Sequence, residues 1–246
     1  GQLDISVSLG IGSRSNPVLG EDDIPLVVIP QISYYGKRFF LENLDFGFTL
    51  HEGKSNTFNL IASPGYDRVF FYRDDLQNFF VSGATGAITV AAPAEGGGDF
   101  DLSHEFEVRP RRTTYLAGPE WLFQYGEIVG QVDALYEVTG RHDGYEVRAA
   151  VAAPIIQTEH SLVASAGLTW KSAEIVRYYY GIEGYYEPGS ALSPFLKLGY
   201  TRALSDRWSI NAFVHYERLG SAIADSPIVS DQGVTTAFAG VVFKIL

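Results

Sequence analysis

The sequence predicts an all-β, transmembrane, antiparallel up-and-down β-barrel, and two observations predict it. First, in run after run every second residue is apolar and its neighbours are polar, small or charged; in one run the apolar positions are Trp208, Ile210, Ala212, Val214 and Tyr216. Strands with one apolar and one polar face need an apolar medium on one side and water on the other. Second, the chain contains 15 tyrosines, 16 phenylalanines and 3 tryptophans, many of them at the ends of these runs. Aromatic residues at strand ends are typical of the girdles at the two membrane interfaces.

Soluble β-sandwiches and small soluble barrels also show alternating strands. Their cores are dominated by branched aliphatic residues, and aromatic residues are few. Here Trp121, Phe123 and Tyr125 close one strand and Trp208 opens another, which favours the membrane barrel. The sequence has no apolar run near the roughly 20 residues that a membrane helix requires, so any crossing of a membrane must use strands.

The alternation places four strands before residue 66, at Leu3 to Gly12, Ile24 to Tyr35, Arg38 to Leu50 and Asn56 to Gly65. The second and third strands form a hairpin, because the two-residue connection Gly36-Lys37 carries a glycine. From residue 113 onwards eight further runs follow, at about 113–123, 127–138, 145–154, 161–170, 175–186, 193–203, 207–218 and 233–245. Twelve strands in total is an even number, as single-chain bacterial outer-membrane barrels require.

The alternation fails over residues 66–112. We interpret the whole chain, residues 1–246, as one barrel domain and this segment as a long insert, either periplasmic or folded into the lumen as a hairpin or plug. An alternative is that it adds two wall strands, for a total of fourteen; we prefer twelve. Because such barrels keep short turns in the periplasm and long loops outside, both termini and the Lys171 to Glu174 turn are predicted to be periplasmic.

Composition excludes several classes of protein and of site. The net charge is −11, which disfavours nucleic acid as a partner. Cysteine is absent, and His51, His104, His142 and His160 fall in separate predicted loops without ligand spacing, so we expect neither a metal nor a cofactor. The first residues lack a basic region followed by an apolar stretch, so we expect an exported protein whose signal peptide is absent from this chain. Its surroundings would be outer-membrane lipid and lipopolysaccharide.

Charged residues of both signs take inward positions in the predicted strands. Buried charges persist only when they are paired or hydrated, so the lumen is either a polar channel or a space closed by salt bridges. One hypothesis is that Glu146 and Arg148 neutralise Arg177 and Glu183 on nearby strands. The lumen-facing candidates are Asp45, Glu120, Asp133, Glu137, Glu146, Arg148, Arg177, Glu183, Lys197, His215, Glu217 and Lys244.

His215 is the only candidate for catalysis among these residues. It faces inward beside Glu217 and near Ser209, the residue types of a hydrolase triad. A lumen-facing histidine among carboxylates is more often a hydrated wall residue. We therefore expect no enzymatic activity and no catalytic residues.

Three segments carry a resemblance to a known family. They are Leu26 to Leu50, which contains Ile29-Pro30-Gln31-Ile32 and Phe46-Gly47-Phe48; Tyr179-Tyr180-Gly181-Ile182; and the closing passage from Tyr216 to Phe243. Their residues and order resemble the MipA/OmpV family of outer-membrane proteins across nearly the whole chain. Residues 77–111 have no counterpart in the family pattern. The family-signature loop contains Arg218, Leu219, Ala224, Asp225, Ser226 and Pro227.

The resemblance implies a scaffold in cell-wall growth. The family's namesake is an outer-membrane partner of a lytic murein transglycosylase and links it to a peptidoglycan synthase. A periplasmic insert would then be a natural contact surface. The alternative within the family is a small porin or an osmotically or stress-regulated channel for small solutes. The sequence leaves the oligomeric state, the partner and the solute open.

Overall fold

A closed antiparallel β-barrel forms the body of the protein in a computed structural model, which describes residues 1–67, 81–82, 88–91 and 114–246. Twelve strands build the wall, as the sequence predicted. They are β1 (Gln2–Arg14), β2 (Ile24–Tyr35), β3 (Phe39–Glu42), β4 (Asp45–Glu52), β5 (Asn56–Pro64), β8 (Tyr115–Tyr125), β9 (Ile128–Glu137), β10 (Tyr145–Gln157), β11 (His160–Lys171), β12 (Ala191–Ala203), β13 (Trp208–Arg218) and β14 (Gly233–Lys244).

Each wall strand pairs with its neighbours in chain order, and the pairing of β1 with both β2 and β14 closes the ring. Two short strands, β6 (Val81–Ser82) and β7 (Ile88–Ala91), come from the insert. β3 and β7 pair with the same edge of β2. β7 pairs with the first half of β2, and β3 pairs with the second half. The remainder of the insert, including Gly97 and His104, lies outside the described residues.

The two ends of the barrel differ. Both termini lie at one end, together with the turns at 36–38, 53–55, 126–127, 158–159 and 204–207; we call this the terminal end. The opposite end, the loop end, carries the connections 15–23, 138–144, 172–190 and 219–232, and the chain between β5 and β8 leaves and re-enters the wall there. Short turns at one end and long loops at the other are the usual asymmetry of outer-membrane barrels. That the terminal end is periplasmic stays a prediction.

The outward face is apolar along the strands, as the alternation predicted. Leu9, Leu196 and Val214 have 57%, 65% and 47% of their surface exposed. Outward aromatic residues pack in pairs near both ends: Trp208 and Phe243 lie 4.8 Å apart between ring centres at the terminal end, and Tyr136 and Tyr145 lie 4.9 Å apart at the loop end. Apolar bands flanked by two aromatic girdles match the hydrocarbon core and its two interfaces.

The strand predicted over Arg38 to Leu50 is wrong, because it is two strands. β3 and β4 form a tight hairpin that turns at Asn43, which has φ 62°. Asparagine adopts this left-handed conformation more readily than most residues. The turn is fixed to β2, because Asn43 N–H donates to the Ile32 carbonyl at 2.8 Å and Asn43 Oδ1 accepts from Ile32 N–H at 3.0 Å.

The strand predicted over 175–186 is also wrong. Residues Ala173–Tyr180 form helix α1, whose buried residues Ile175, Val176, Tyr179 and Tyr180 recur at helical spacing on one face. One predicted strand is in fact two, and another is a helix, so the total of twelve strands is correct although these two assignments are wrong. The connection at 172–190 is therefore one loop. The Lys171 to Glu174 turn lies at the loop end, so the prediction that it shares an end with the termini is wrong.

Helix α1 packs over the loop end of the barrel. Its buried face contacts a core that includes Leu116 and Leu135 from the wall and Ile223 from the short helix α2 (Ser221–Ala224). Neither helix is long and apolar enough to cross a membrane within the described residues. We call α1, α2 and the chain around them, residues 172–190 and 219–232, the lid.

Candidate functional site in the barrel lumen

A polar cavity of about 550 Å³ lies inside the barrel beneath the lid. Its walls extend from Asp67 and Lys171 below the lid to Lys37, Arg38 and Glu52 at the terminal end. The cavity therefore reaches the end with the short turns, while the lid covers the other end. Seven of the predicted inward charged residues line it, namely Asp45, Glu120, Asp133, Glu146, Arg148, His215 and Glu217.

One wall of the cavity is acidic. Glu120 on β8 lies directly opposite Asp133 on β9, and Asn59 on β5 lies opposite Glu120. The amide nitrogen of Gln131 donates to both carboxylates, at 3.0 Å to Glu120 and 2.8 Å to Asp133. Asn59 Nδ2 donates to Glu120 at 2.8 Å. These amide donors satisfy two buried acidic side chains that also hydrogen-bond to each other and that form no ion pair with any described residue.

The acidic wall continues to Asp45 and Glu146, with one cation between them. Arg148 on β10 lies opposite Asp133 and forms a salt bridge with Glu146 at 2.5 Å. Its guanidinium also donates to Ser63 at 2.9 Å. Asp45 accepts a hydrogen bond from the Tyr66 hydroxyl at 3.1 Å. Arg148 thus faces the three acidic side chains of Asp45, Asp133 and Glu146, so acidic groups outnumber basic ones on this wall among the described residues.

The opposite wall is basic. Lys197 on β12, His215 on β13 and Arg14 on β1 all face inward, and Arg14 donates from Nε to Thr236 Oγ1 at 3.1 Å. Lys197 Nζ lies 5.0 Å from the centre of the Phe213 ring, and His215 stacks on Phe195 at 5.1 Å. In the ring of twelve strands these positions stand across the lumen from β5, β8 and β9. Charges of opposite sign therefore face each other across the cavity.

The lid is fixed to the wall by a buried polar network. Asp67 accepts hydrogen bonds from the Lys171 ammonium at 2.7 Å and from the Tyr180 hydroxyl at 2.6 Å. The Tyr179 and Thr114 hydroxyls are 3.0 Å apart. Burial raises the pKa of Tyr179 and Tyr180, so both hydroxyls stay protonated and can donate. The backbone N–H at the start of α1 and the Ser172 hydroxyl hold the pKa of Glu174 below its usual value.

The β9–β10 loop supports the lid from the side. Glu137 accepts hydrogen bonds from the backbone N–H groups of Arg141, His142 and Asp143 at 2.9, 3.1 and 3.1 Å, which fixes the loop conformation. His142 then packs against the Tyr178 ring of α1, with ring centres 5.2 Å apart. Burial lowers the pKa of His142. Its neutral form suits the site, because Nδ1 accepts a hydrogen bond from Gly144 N–H at 3.0 Å.

Several predicted lumen residues lie elsewhere. Arg177 belongs to α1 and Glu183 follows it, so neither is on a wall strand; Arg177 donates to the Pro188 carbonyl at 3.0 Å and lies 4.0 Å from Glu187. The hypothesis that Arg177 and Glu183 neutralise Glu146 and Arg148 is therefore wrong. Lys244 lies at the rim of the terminal end and pairs with Asp4 at 3.1 Å, with 52% of its side chain exposed.

The residues of the considered triad are not brought together. Ser209 and His215 are six positions apart on the same strand, which places them about 20 Å apart. Among the described residues no hydrogen bond joins His215 to Glu217. This arrangement keeps the Ser209 hydroxyl out of reach of the histidine.

The family-signature loop builds the lid rather than the lumen. Ser226 donates its hydroxyl to the Tyr180 carbonyl at 2.6 Å, and Leu219 is buried in the lid core. Ala224 ends α2 and packs against the same core. Arg218, Asp225 and Pro227 are exposed.

Some residues of the site were missed by the sequence reasoning. Arg14 follows the predicted end of its strand, and Lys171 was assigned to a turn, although both keep the inward parity of their strands. Extending each strand by two residues would have found them. Asn59 and Gln131 face inward in the predicted registers, but only charged residues were considered. For Asp67 the sequence gives no signal, because it follows the wall strand in irregular chain.

Comparison with known proteins places the chain among outer-membrane proteins. The family model described as "MltA-interacting protein MipA" matches residues 7–245. Outer membrane protein Omp26La of Vibrio anguillarum is 34% identical over 92 residues, covering 31% of this chain and 35% of that protein. Outer membrane protein OmpV of Vibrio cholerae is 33% identical over 90 residues, with the same two shares of 31% and 35%. The matched stretch thus spans about a third of the length of either relative. Among solved structures, the NanC porin aligns over 100% of both chains with 9% identity and a TM-score of 0.48.

Proposed function

Because this chain belongs to the MltA-interacting protein MipA family, as its sequence resemblance predicted, and resides in the bacterial outer membrane, we propose a non-enzymatic role based on its lumen. The protein admits small charged solutes to a polar cavity, and the lid controls their passage across the membrane. The observation that carries this proposal is the separation of charge across the cavity. Asp45, Glu120 and Asp133 face the Arg14 guanidinium from the opposite wall.

Physical reasons connect this arrangement with small solutes. Charges facing a water-filled space retain hydration, whereas a lumen that is only structural is closed by salt bridges across it. Here the ion pair of Arg148 and Glu146 lies within one wall, and among the described residues no ion pair joins Asp45, Glu120 or Asp133 to Arg14 or Lys197 on the other. A field across a narrow lumen favours small polar solutes that carry charge, and disfavours apolar ones.

Proteoliposomes containing the purified full chain test this function. Uptake of a small charged solute should exceed that of protein-free liposomes, and it should rise several-fold in Tyr180→Ala, which removes the buried anchor of the lid. Tyr125→Ala is the control, because this tyrosine is 83% exposed at a terminal-end turn. If neither the parent protein nor the lid variant takes up solute faster than empty liposomes, the channel function is excluded.

A second candidate, the scaffold role implied by the sequence resemblance, is supported by the description of the matching family as MltA-interacting. With the termini in the periplasm, the partner surface would be the terminal end and its short turns. The insert joins the wall at the loop end. Gly65 and Thr114, which flank it, are hydrogen-bonded there, because Gly65 N–H donates to the Thr114 carbonyl at 2.9 Å. We therefore place the contact with a lytic transglycosylase at the turns and not at residues 77–111.

Site-specific photo-crosslinking separates these surfaces. A crosslinking residue at Lys54, in the terminal-end turn, should capture the transglycosylase, and one at Asp231, in a loop-end connection, should not. Deletion of residues 77–111 should leave the capture unchanged. Loss of capture on that deletion would contradict our placement, and no capture from any terminal-end turn would remove the scaffold role.

A further inference from the structure

Four inward residues on neighbouring strands form one continuous row across the basic wall. Lys197 lies directly opposite His215, His215 opposite Thr236, and Thr236 opposite Arg14. Directly opposed residues of antiparallel strands have Cα atoms about 4.5–5.5 Å apart, so the row spans roughly 15 Å. We call it the basic row. Three residues of the row, His215, Thr236 and Arg14, line the cavity.

Most hydrogen-bond donors of the basic row are unused. Of the five N–H groups of a guanidinium, Arg14 commits Nε to Thr236 at 3.1 Å, and no other described residue accepts from it. The Lys197 ammonium contacts the Phe213 ring at 5.0 Å and donates to no described oxygen. His215 stacks on Phe195 and likewise has no hydrogen-bond partner within the described part of the chain. The row therefore holds several free donors; those of Arg14 and His215 line the cavity, and the Lys197 ammonium lies beside them on the neighbouring strand.

Such an arrangement is costly without an anion. Half-buried cations lose hydration, and Arg14 and Lys197 stand in one row with no carboxylate between them. Glu217, two residues after His215, is the nearby carboxylate, and it faces both Arg14 and Lys171. Lys171 has Asp67 as its direct counter-ion, so Glu217 serves Arg14, and Lys197 is the cation of the row that has no ion-pair partner among the described residues. The positions are thus suited to a ligand that brings negative charge.

The surroundings restrict the chemistry of that ligand. The guanidinium of Arg14 matches the two oxygens of a carboxylate, and Phe195 and Phe213 offer apolar contact beside it. The opposite wall is acidic, so it repels polyanions and attracts a cationic group. A molecule that satisfies both walls carries a carboxylate at one end and an ammonium at the other.

We infer that the basic row binds the carboxylate of a small zwitterionic solute, an amino acid or short peptide, whose ammonium group faces Glu120 and Asp133. This inference deepens the proposed channel function, because it names the class of solute. Binding in the lumen does not require passage, so the two can fail separately.

Isothermal titration of the full chain in detergent micelles tests the inference with three probes. L-alanyl-L-alanine should bind, whereas its C-terminal amide, which lacks the carboxylate, and its N-acetyl derivative, which lacks the ammonium, should each bind at least tenfold more weakly. These comparisons use the unaltered protein, so folding of a variant does not affect them. Equal affinity for the dipeptide and its amide overturns the inference that the site binds a carboxylate. Equal affinity for the dipeptide and its N-acetyl derivative overturns the inference that the solute is a zwitterion.

Substitutions assign the site within the lumen. Arg14→Gln and Lys197→Gln should each weaken dipeptide binding at least tenfold, and Arg14→Lys should restore part of the loss. Lys244→Gln is the matched control, since it removes an equal charge at the exposed rim. Unchanged binding in both Gln variants overturns the assignment. If binding depends on the carboxylate but liposomes show no uptake, the binding site is supported and the channel function is excluded. If uptake occurs but does not depend on the carboxylate, the channel function is supported and the binding site is excluded.

Discussion

Ser226 donates its hydroxyl to the main-chain carbonyl of Tyr180 at 2.6 Å, and both residues are buried, with 2% and 0% of their surface exposed. This hydrogen bond joins two of the three segments that carry the family resemblance. Nearby, Ile182 and Ile228 are buried in one small cluster with Val18. The signature thus specifies how two loops pack into a lid, while the charged residues of the lumen lie mostly outside it.

Substitution Ser226→Ala should loosen the lid without unfolding the barrel. It removes the hydroxyl that donates to the buried Tyr180 carbonyl, and loss of a buried hydrogen bond costs about 1–3 kcal/mol, or roughly five- to 150-fold in the equilibrium for opening. Hydrogen-exchange mass spectrometry of peptides covering 173–182 should show faster exchange by that factor, with wall peptides unchanged. Ser221→Ala is the control, because Ser221 is exposed at the start of α2. Equal protection in both variants would show that the hydrogen bond does not hold the lid.

The buried pair of Asp67 and Lys171 should matter far more than the exposed pair of Asp4 and Lys244. Asp67→Asn leaves an ammonium that is only 13% exposed without its direct counter-ion, which costs about 3–5 kcal/mol. We expect the lower end, because Glu146 and Glu217 also face Lys171. Asp4→Asn should cost less than about 1 kcal/mol. Denaturant titration of the protein folded in lipid vesicles measures both values, and similar losses would refute the role of the pair.

The wall was predictable from the sequence because its two sides meet different media. Leu196 and Val214 face lipid, Lys197 and His215 face the lumen, and a period of two follows from that alone. The two wrong strands, predicted over 38–50 and 175–186, occurred where alternation alone does not decide the local structure. Ile175 and Tyr179 are four residues apart, which a helix places on one face as readily as a strand does, and Asn43 allowed a turn within a continuous apolar alternation.

The site was predictable only in part, because strand parity fixes a side chain's face and not its partner. Glu120 and Asp133 were correctly turned inward, but their pairing depends on the register between β8 and β9. The separation of charge across the lumen needs the order of all twelve strands. Asp67 lies in irregular chain, and its contact with Lys171 spans 104 residues. No local pattern predicts such a contact.

The lid should become less stable as the pH falls below about 6.5. Burial lowers the pKa of His142, and this effect outweighs the opposite effect of nearby carboxylates such as Glu137. The folded loop therefore binds a proton less readily than the open one. The stabilisation is complete above the unfolded pKa of about 6.5 and is lost as the pH falls from there towards the folded value, by at most about tenfold in the opening equilibrium per pH unit.

Comparison with His142→Gln isolates this effect, because glutamine still accepts a hydrogen bond but does not titrate. Hydrogen exchange of the lid peptides is measured for both proteins between pH 8 and pH 5, and the ratio of the two rates at each pH cancels the intrinsic dependence of exchange on pH. The ratio should change below pH 6.5. His51→Gln, at the exposed terminal end, should show no such change. A ratio that is constant across the range would contradict the proposed titration.

A charge on the outward face should destabilise the barrel according to its depth in the membrane. Leu196 lies near the middle of β12 with 65% of its surface exposed to lipid, so Leu196→Arg should cost about 2–4 kcal/mol. Leu204 is also exposed, at 54%, but it lies in a terminal-end turn, where arginine should cost no more than about 1 kcal/mol. Both values come from denaturant titration in vesicles of one lipid. Equal costs at the two positions would place Leu196 outside the hydrocarbon core and would shift the membrane band along the barrel axis.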